Sequence, residues 1–366
     1  MKVFFWLERW FVEEKNLGKY LKTLLKAVFY YSGIYRMLIY FHRDRIPVLM
    51  IHGVLDEEMG QLWEPSWRRT SSKQLESVIS VLSRYFDFES MGEIADTLTH
   101  DSVPKRAKLG LTFDDGYRNN ITCAAPILIR KDSPAVFYLS TGNIVSRAPM
   151  WIDRLDFVLQ KLKLPEIEIK LQEQVFKITL TPRSRFEEDY LYFRRSIKNL
   201  YSDDCVMLSD IAAEASRLEH LAGASLLDSI TDDPVAEMMT ADEAKGKYDK
   251  ITFGSHTVTH VRLDRVPDEL LLSELRESKS WIEGIAREQC PHFCYPNGDF
   301  NRRSIAAVAE CGYKTAVTTI AGSNRVGDSE LLALRRISIP QNEKTYEILH
   351  SVAISLLRSE RVRAIN

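Results

Sequence analysis

Two short stretches carry residue types that could do chemistry together. In the first, Leu111-Thr112-Phe113-Asp114-Asp115-Gly116-Tyr117, adjacent carboxylates end an apolar run and a glycine lets the chain turn. One carboxylate can bind a cation while its neighbour stays ionised and serves as a base. Alone, Asp-Asp-Gly suits turn and cap acids better. The second stretch, Gly254-Ser255-His256-Thr257-Val258-Thr259-His260, holds two histidines four apart. That spacing puts both on one helical face, within reach of one divalent ion. Surface histidines also fall at this spacing by chance. Two His and one Asp make a facial set with positions left for water and substrate, the pattern of a hydrolytic metal site.

The elements around these stretches read as strands and helices in alternation. Ile46–Ile51, Leu109–Phe113, Ala135–Leu139, Ile251–Gly254, Phe293–Tyr295, Thr315–Thr318 and Leu332–Ile339 are short apolar runs consistent with buried strands. Thr70-Ser71-Ser72 offers caps for a helix through Arg84, with Leu75, Val78, Ile79 and Leu82 inward. Helices are also expected over 120–131, 267–287 and 301–312. Both candidate clusters fall at strand ends, where parallel α/β folds place their ligands. From Trp151 to about Lys247 the pattern changes. A hairpin (166–170 and 175–181), two polar helical stretches near 183–200 and 208–222, a break at Asp232-Asp233-Pro234 and a short helix around 240–247 read as an insertion. The alternation argues for a mainly parallel α/β sheet or barrel.

The 366 residues are 45% hydrophobic and 27% charged, the balance of a globular protein with a real core. Lys plus Arg (49) nearly cancels Asp plus Glu (51), which speaks against a nucleic-acid partner. Five cysteines (Cys123, Cys205, Cys290, Cys294, Cys311) form no CxxC pair and read as reduced, buried thiols. Residues 1–45 are basic, with nine Lys/Arg against four Asp/Glu. The run Val3–Leu7, broken by Glu8 and Arg9, does not read as a secretory leader. Lys15, Lys19, Lys22 and Lys26 share one face of an expected helix, and Leu17, Leu21, Leu24, Leu25, Val28 and Phe29 another. Such a helix suits peripheral contact with a membrane through residues 15–41, or packing against the rest of the chain. The continuation Ala27–Phe41 is shorter than the roughly 20 residues a bilayer span needs.

With both clusters complete and a Pro296-Asn297-Gly298 segment after them, the chain resembles the NodB-homology polysaccharide deacetylases, carbohydrate esterase family four. The family's hallmarks are a TFDDG strand end (here Thr112–Gly116) and an H-[ST]-x-x-H element (here His256–His260). The likeness covers about 46–150 and 238–340. It implies a distorted (β/α) barrel; the helical and hairpin insertion at 151–247, the amphipathic segment over 1–45 and an expected C-terminal helix over 341–366 lie outside the likeness. It also implies roles. Asp115, His256 and His260 would bind a divalent metal, zinc first, with nickel, cobalt or iron also suited. Asp114 would be the general base, and the Tyr117 backbone N–H with the metal would stabilise the oxyanion. Pro296, Asn297 and Gly298 would meet the substrate.

Two departures stand out. The late Leu-x-His that supplies the usual general acid is absent, since Leu334–Pro340 has no histidine and His350 is a poor substitute. Met50-Ile51-His52-Gly53-Val54 instead resembles the element of the poly-N-acetylglucosamine deacetylase subgroup whose acid comes from the first strand, which nominates His52. The arginine that steadies the base before the P-x-G segment is also missing, and Arg335 or Arg336 is expected to replace it. Trp151 could stack on a sugar ring. The implied activity is hydrolysis of N-acetyl groups on an oligo- or polysaccharide or its glycolipid precursor, in the cytoplasm or peripherally at the inner membrane face. A deformylase of a lipid-linked amino sugar and a carbohydrate-binding protein without catalysis are the alternatives.

Overall fold

The computed structural model describes residues 18–56, 63–65, 69–100, 102–229, 233–341 and 344–357. Seven strands form the centre: β1 (Arg45–Ile51), β2 (Ala107–Phe113), β3 (Ala135–Leu139), β4 (Ile251–Ser255), β5 (His292–Cys294), β6 (Thr315–Ala321) and β7 (Leu334–Ser338). Each pairs in parallel with the next, and β7 pairs with β1, so the sheet closes into a barrel. The strands are apolar runs because helices cover one face and the barrel interior the other. All five residues of β3 and the last five of β2 are buried. Every strand therefore ends on one rim, and His52, Asp114, Asp115 and His256 follow β1, β2 and β4 onto it.

The covering helices follow from local sequence. In chain order, α1 is Lys19–Tyr31, α2 Ile34–Phe41, α3 Ser72–Leu82, α4 Trp151–Lys161, α5 Arg183–Leu200, α6 Asp204–Ala222, α7 Asp268–Ala286, α8 Arg302–Glu310 and α9 Thr345–Ser355. Ser71 caps α3 by accepting from the Gln74 N–H, and Leu75, Val78, Ile79 and Leu82 are buried beneath it, as expected. Truncating one of them to alanine would cost roughly 2–5 kcal/mol. The helix expected over 120–131 begins with a wider π turn, Asn120–Ala124, before Ala125–Arg130. Pro126 explains this, because it has no N–H to donate and its ring crowds the carbonyl four residues back.

The insertion is more than a polar elaboration. Phe186, Tyr190, Phe193 and Ile197 recur along one face of α5 and build a second core with Phe157, Ile169, Ile211 and Leu218. The hairpin is Glu166–Leu171 paired with Gln174–Thr179, and the short helix is Ala241–Ala244, capped by Thr240.

At the other end of the chain, the single amphipathic stretch is broken at Ser32-Gly33, where Gly33 takes φ +78. Tyr35, Leu38 and Ile39 of the resulting hairpin are buried, while Leu21, Leu24, Val28, Tyr31, Met37, Tyr40 and Phe41 are exposed. Lys26 pairs with Glu347 at 2.8 Å and so fastens α1 to the first turn of α9. Val3–Leu7, Lys15, Leu17, Asp232 and 358–366 lie outside the described residues. Among the described residues no helix is long and apolar enough to cross a membrane.

Candidate active site

The rim residues converge in one cleft of about 300 Å³, lined among others by His52, Asp114, Asp115, His256, His260 and Asn297. Asp115 takes φ +74 and Gly116 φ +86, a tight turn off β2 that separates the two carboxylates. Asp115 Oδ1 lies 3.4 Å from both His256 Nε2 and His260 Nε2. Ligands at about 2.0–2.1 Å around a tetrahedral ion are separated by about that distance. The three donor atoms thus fit a shared divalent ion. The His256 Nδ1 sits 2.7 Å from the Cys294 carbonyl oxygen, a second contact that fixes the ring with Nε2 toward Asp115.

The histidines do not share a helical face. Residues 256–262 run as a loop in which Thr257 and His260 have φ +66 and +60. A residue outside the motif explains the departure. Glu274 of α7, buried, accepts from the Val258 and Thr259 N–H groups at 2.7 and 2.9 Å and from the Thr259 hydroxyl at 2.6 Å. Those charge-assisted bonds replace the ones a helix would have supplied. Gly142 lets the neighbouring chain approach, since a Cβ there would meet the Val258 carbonyl oxygen at 2.6 Å.

Asp114 is held differently. The Arg336 guanidinium donates to both its oxygens at 2.7 Å, and also to the Thr112 hydroxyl (3.0 Å) and the Thr318 carbonyl (2.8 Å). Of the two nominated arginines, Arg336 reaches the carboxylate; Arg335 bonds the Ala321 carbonyl instead. Burial alone would raise the Asp114 pKa, but the charge and hydrogen bonds of Arg336 outweigh it and hold the group below the usual carboxylate range. Asp115 is likewise driven well below that range, as the two histidines overcome its burial. A second group of donors, Asp114, His256 and Cys294, also lies close. It suits a metal poorly, because Arg336 occupies both Asp114 oxygens and burial pushes the Cys294 thiol up, away from the thiolate.

His52 faces the same cleft, and its pKa is lowered, first by burial and then by Arg336 and Arg69 against the pull of Asp115 and Asp114. His350 is elsewhere. It meets the Tyr35 hydroxyl at 2.9 Å and lines a separate cavity between β7 and α9. The Tyr117 side chain is also turned away from the cleft. Its hydroxyl donates to Asp153 at 2.7 Å, and Arg69, which binds both Asp153 oxygens, lies over its ring at 4.2 Å. Of the Pro296–Gly298 segment, Asn297 lines the cleft while Pro296 and Gly298 are buried behind it. Trp151, Arg194 and Lys198 come to the cleft from the insertion. Arg69, Asp153, Glu274, Arg194 and Lys198 belong to no motif that the sequence displays.

The polysaccharide deacetylase family profile matches residues 236–316, which include the histidine loop and the Pro296–Gly298 segment. YxkH of Bacillus subtilis (strain 168), named as a polysaccharide deacetylase, is 29% identical over 89 residues, 24% of this chain and 32% of its own. The match therefore spans about a third of that relative. The barrel superposes on the Streptococcus pyogenes deacetylase PplD, solved with acetate, at TM-score 0.53 and 17% identity, over 84% of this chain and 98% of PplD. It superposes on IcaB from Ammonifex degensii at TM-score 0.52 and 15% identity, over 85% and 97%. At such identities the likeness establishes the shared fold. Residues 236–316 thus match the polysaccharide deacetylase family, and the barrel that contains them has the fold of solved deacetylases.

Proposed function

We propose that the protein is a metal-dependent hydrolase that removes N-acetyl groups from amino sugars of a surface polysaccharide or its glycolipid precursor. The carrying observation is the triangle of Asp115, His256 and His260 beside an Asp114 clamped by Arg336, all in one cleft. A divalent ion, zinc first, would be held by those three residues and would supply Lewis acidity toward the amide carbonyl and toward water. Asp114, kept ionised by Arg336, accepts the proton of the attacking water. His52 gives a proton to the leaving nitrogen, and a histidine with a lowered pKa surrenders it readily once charged. The Tyr117 backbone N–H is assigned to the developing oxyanion. The products are acetate and a free amine. A protein that only binds carbohydrate would need neither the base nor its clamp.

The test is acetate release from an N-acetylglucosamine oligomer by zinc-loaded protein, with formate followed on an N-formyl analogue. Wild type releases acetate; Asp114→Asn is at least about 100-fold slower and His52→Ala about 10–100-fold slower. Full rates in His52→Ala would move the acid elsewhere, and formate alone would make the protein a deformylase.

The α1–α2 hairpin supports peripheral placement at a membrane, the inner face being the one the sequence suggests. Over residues 18–45 there are six Lys/Arg and one Asp, and the exposed apolar stripe includes Tyr31 at 82% exposure and Tyr40 and Phe41 at 57%. Full-length protein should sediment with anionic vesicles, and Leu24→Glu with Tyr31→Glu should cut that binding about tenfold or more. Unchanged binding would remove the hairpin from the contact.

A further inference from the structure

A second cavity, of about 200 Å³, adjoins the catalytic cleft, and Met150, Trp151 and His260 line both. His260 presents Nε2 to Asp115, so one of the three candidate metal ligands is also a wall of this pocket. The rest of the lining is mostly apolar and comes largely from the insertion. Leu208, Ile211, Ala212 and Ala215 recur at helical spacing along one face of α6, and the two alanines leave open the space that larger side chains would fill. The polar groups here are already matched. Arg154 binds the two oxygens of Glu219 at 2.8 and 2.6 Å, Asn143 donates to the Ala148 carbonyl and accepts from Ser140, and the Thr259 hydroxyl donates to Glu274.

That chemistry selects among the parts of a substrate. An amide whose carbonyl lies at Asp115, His256 and His260 carries a sugar on its nitrogen and an acyl chain on its carbon. Sugar hydroxyls moved into this pocket would give up water and find few open partners, at a cost for each one left unpaired. The cleft, and not the pocket, offers them Asn297 and Thr319. An acyl chain gains from the same apolar walls. A methyl group alone does not need so much room. A cavity of about 150 Å³ holds benzene, so this one has space for an acyl chain of about six carbons.

We propose that this pocket receives the acyl chain of the amide that is cleaved, so that the enzyme takes amino sugars with N-acyl groups longer than acetyl. The proposal rests on the deacetylase reading and makes α6 of the insertion the part of the chain that selects the acyl group. The reaction is the same hydrolysis. Water's oxygen joins the carbonyl carbon, the C–N bond breaks, the amine leaves with a proton, and the acyl group leaves as a short-chain carboxylate.

The experiment compares kcat/KM of the zinc-loaded full chain on glucosamine carrying N-acetyl, N-butanoyl, N-hexanoyl and N-dodecanoyl groups. A rise of about fourfold for each added CH₂ is expected as far as hexanoyl, with a fall at dodecanoyl, which outgrows the pocket. Ala212 is exposed at the edge of the pocket, and Ala212→Phe should cut the hexanoyl-to-acetyl ratio about tenfold or more. Ala213→Phe, at the next exposed position and outside the pocket, should leave that ratio as it is. A rate highest on acetyl and falling with each CH₂ would overturn the proposal and leave the deacetylase reading standing, as would equal effects of the two phenylalanines. Should no acyl group be released, the deacetylase reading fails, and calorimetry decides on the pocket by itself. N-hexanoylglucosamine binding about tenfold or more tighter than N-acetylglucosamine, and weakened in Ala212→Phe alone, upholds the acyl site; equal affinities refute it.

Discussion

Arg336–Asp114 and Arg262–Asp204 are the same chemical pair in two regions of the molecule. Both guanidinium groups are only 1% exposed, and both hold a carboxylate at 2.6–2.7 Å. In the barrel, Arg336 spans from β7 to the end of β2, and the carboxylate it holds still faces the cleft. At the seam with the insertion, Asp204 is used up. One oxygen takes the Arg262 side chain and the other the Arg262 backbone N–H, so the pair fastens α6 to the chain just after His260. Arg262 also donates to the Lys198 carbonyl at the end of α5. On the proposed reading one pair tunes the general base, and the other positions the wall beside it. Burial and distance alone would not tell them apart; what remains free on the carboxylate does.

Breaking each pair should separate the two roles. Arg336→Met is expected to have the larger effect, about 100-fold or more on kcat/KM at neutral pH. The sign follows from the Asp114 shift. Its native pKa is depressed, so the base stays ionised to low pH, and removing Arg336 raises that pKa. The acid limb of the pH–rate profile should therefore move to higher pH, with partial recovery as pH rises. The same shift means the pair's contribution to stability is present above the unfolded carboxylate value of about 3.9 and is lost as pH falls through the native one. Asp204→Asn should cost roughly 3–5 kcal/mol in denaturant unfolding, because it leaves Arg262 buried with a weaker partner. Its kcat/KM should fall only about tenfold, with the acid limb unmoved. If Asp204→Asn moved that limb as Arg336→Met does, the distinction would fail.

The sequence carried the barrel well because strands buried on both faces read as continuous apolar runs, as in IPVLMI, LGLTF and AVFYL. It also picked out Asp115, His256 and His260, whose donor atoms meet in the cleft, although for one wrong local reason. His256 and His260 meet through a strained loop and not along a helix, and Glu274, on the next long helix and outside the motif, is what makes that loop. Arg336 was narrowed to one of two neighbours. Strand alternation decides between them, since Leu334 and Arg336 are buried and Arg335 is not. Arg69 and Asp153 stayed hidden because their pairing joins segments far apart in sequence. Arg194 and Lys198 stayed hidden because a charge on a helix looks the same whether it faces water or a cleft.

The most direct measurement is the zinc content of the dialysed full-length protein, set beside its rate of acetate release with and without a chelator. One zinc per chain is expected, with loss of both zinc and activity on chelation and recovery of both on adding zinc back. Asp115→Ala and His256→Ala should bind at least about 100-fold more weakly and show no recovery at the same zinc concentration. Acetate release that persists without bound metal, or wild-type zinc affinity in Asp115→Ala, would contradict the central claim.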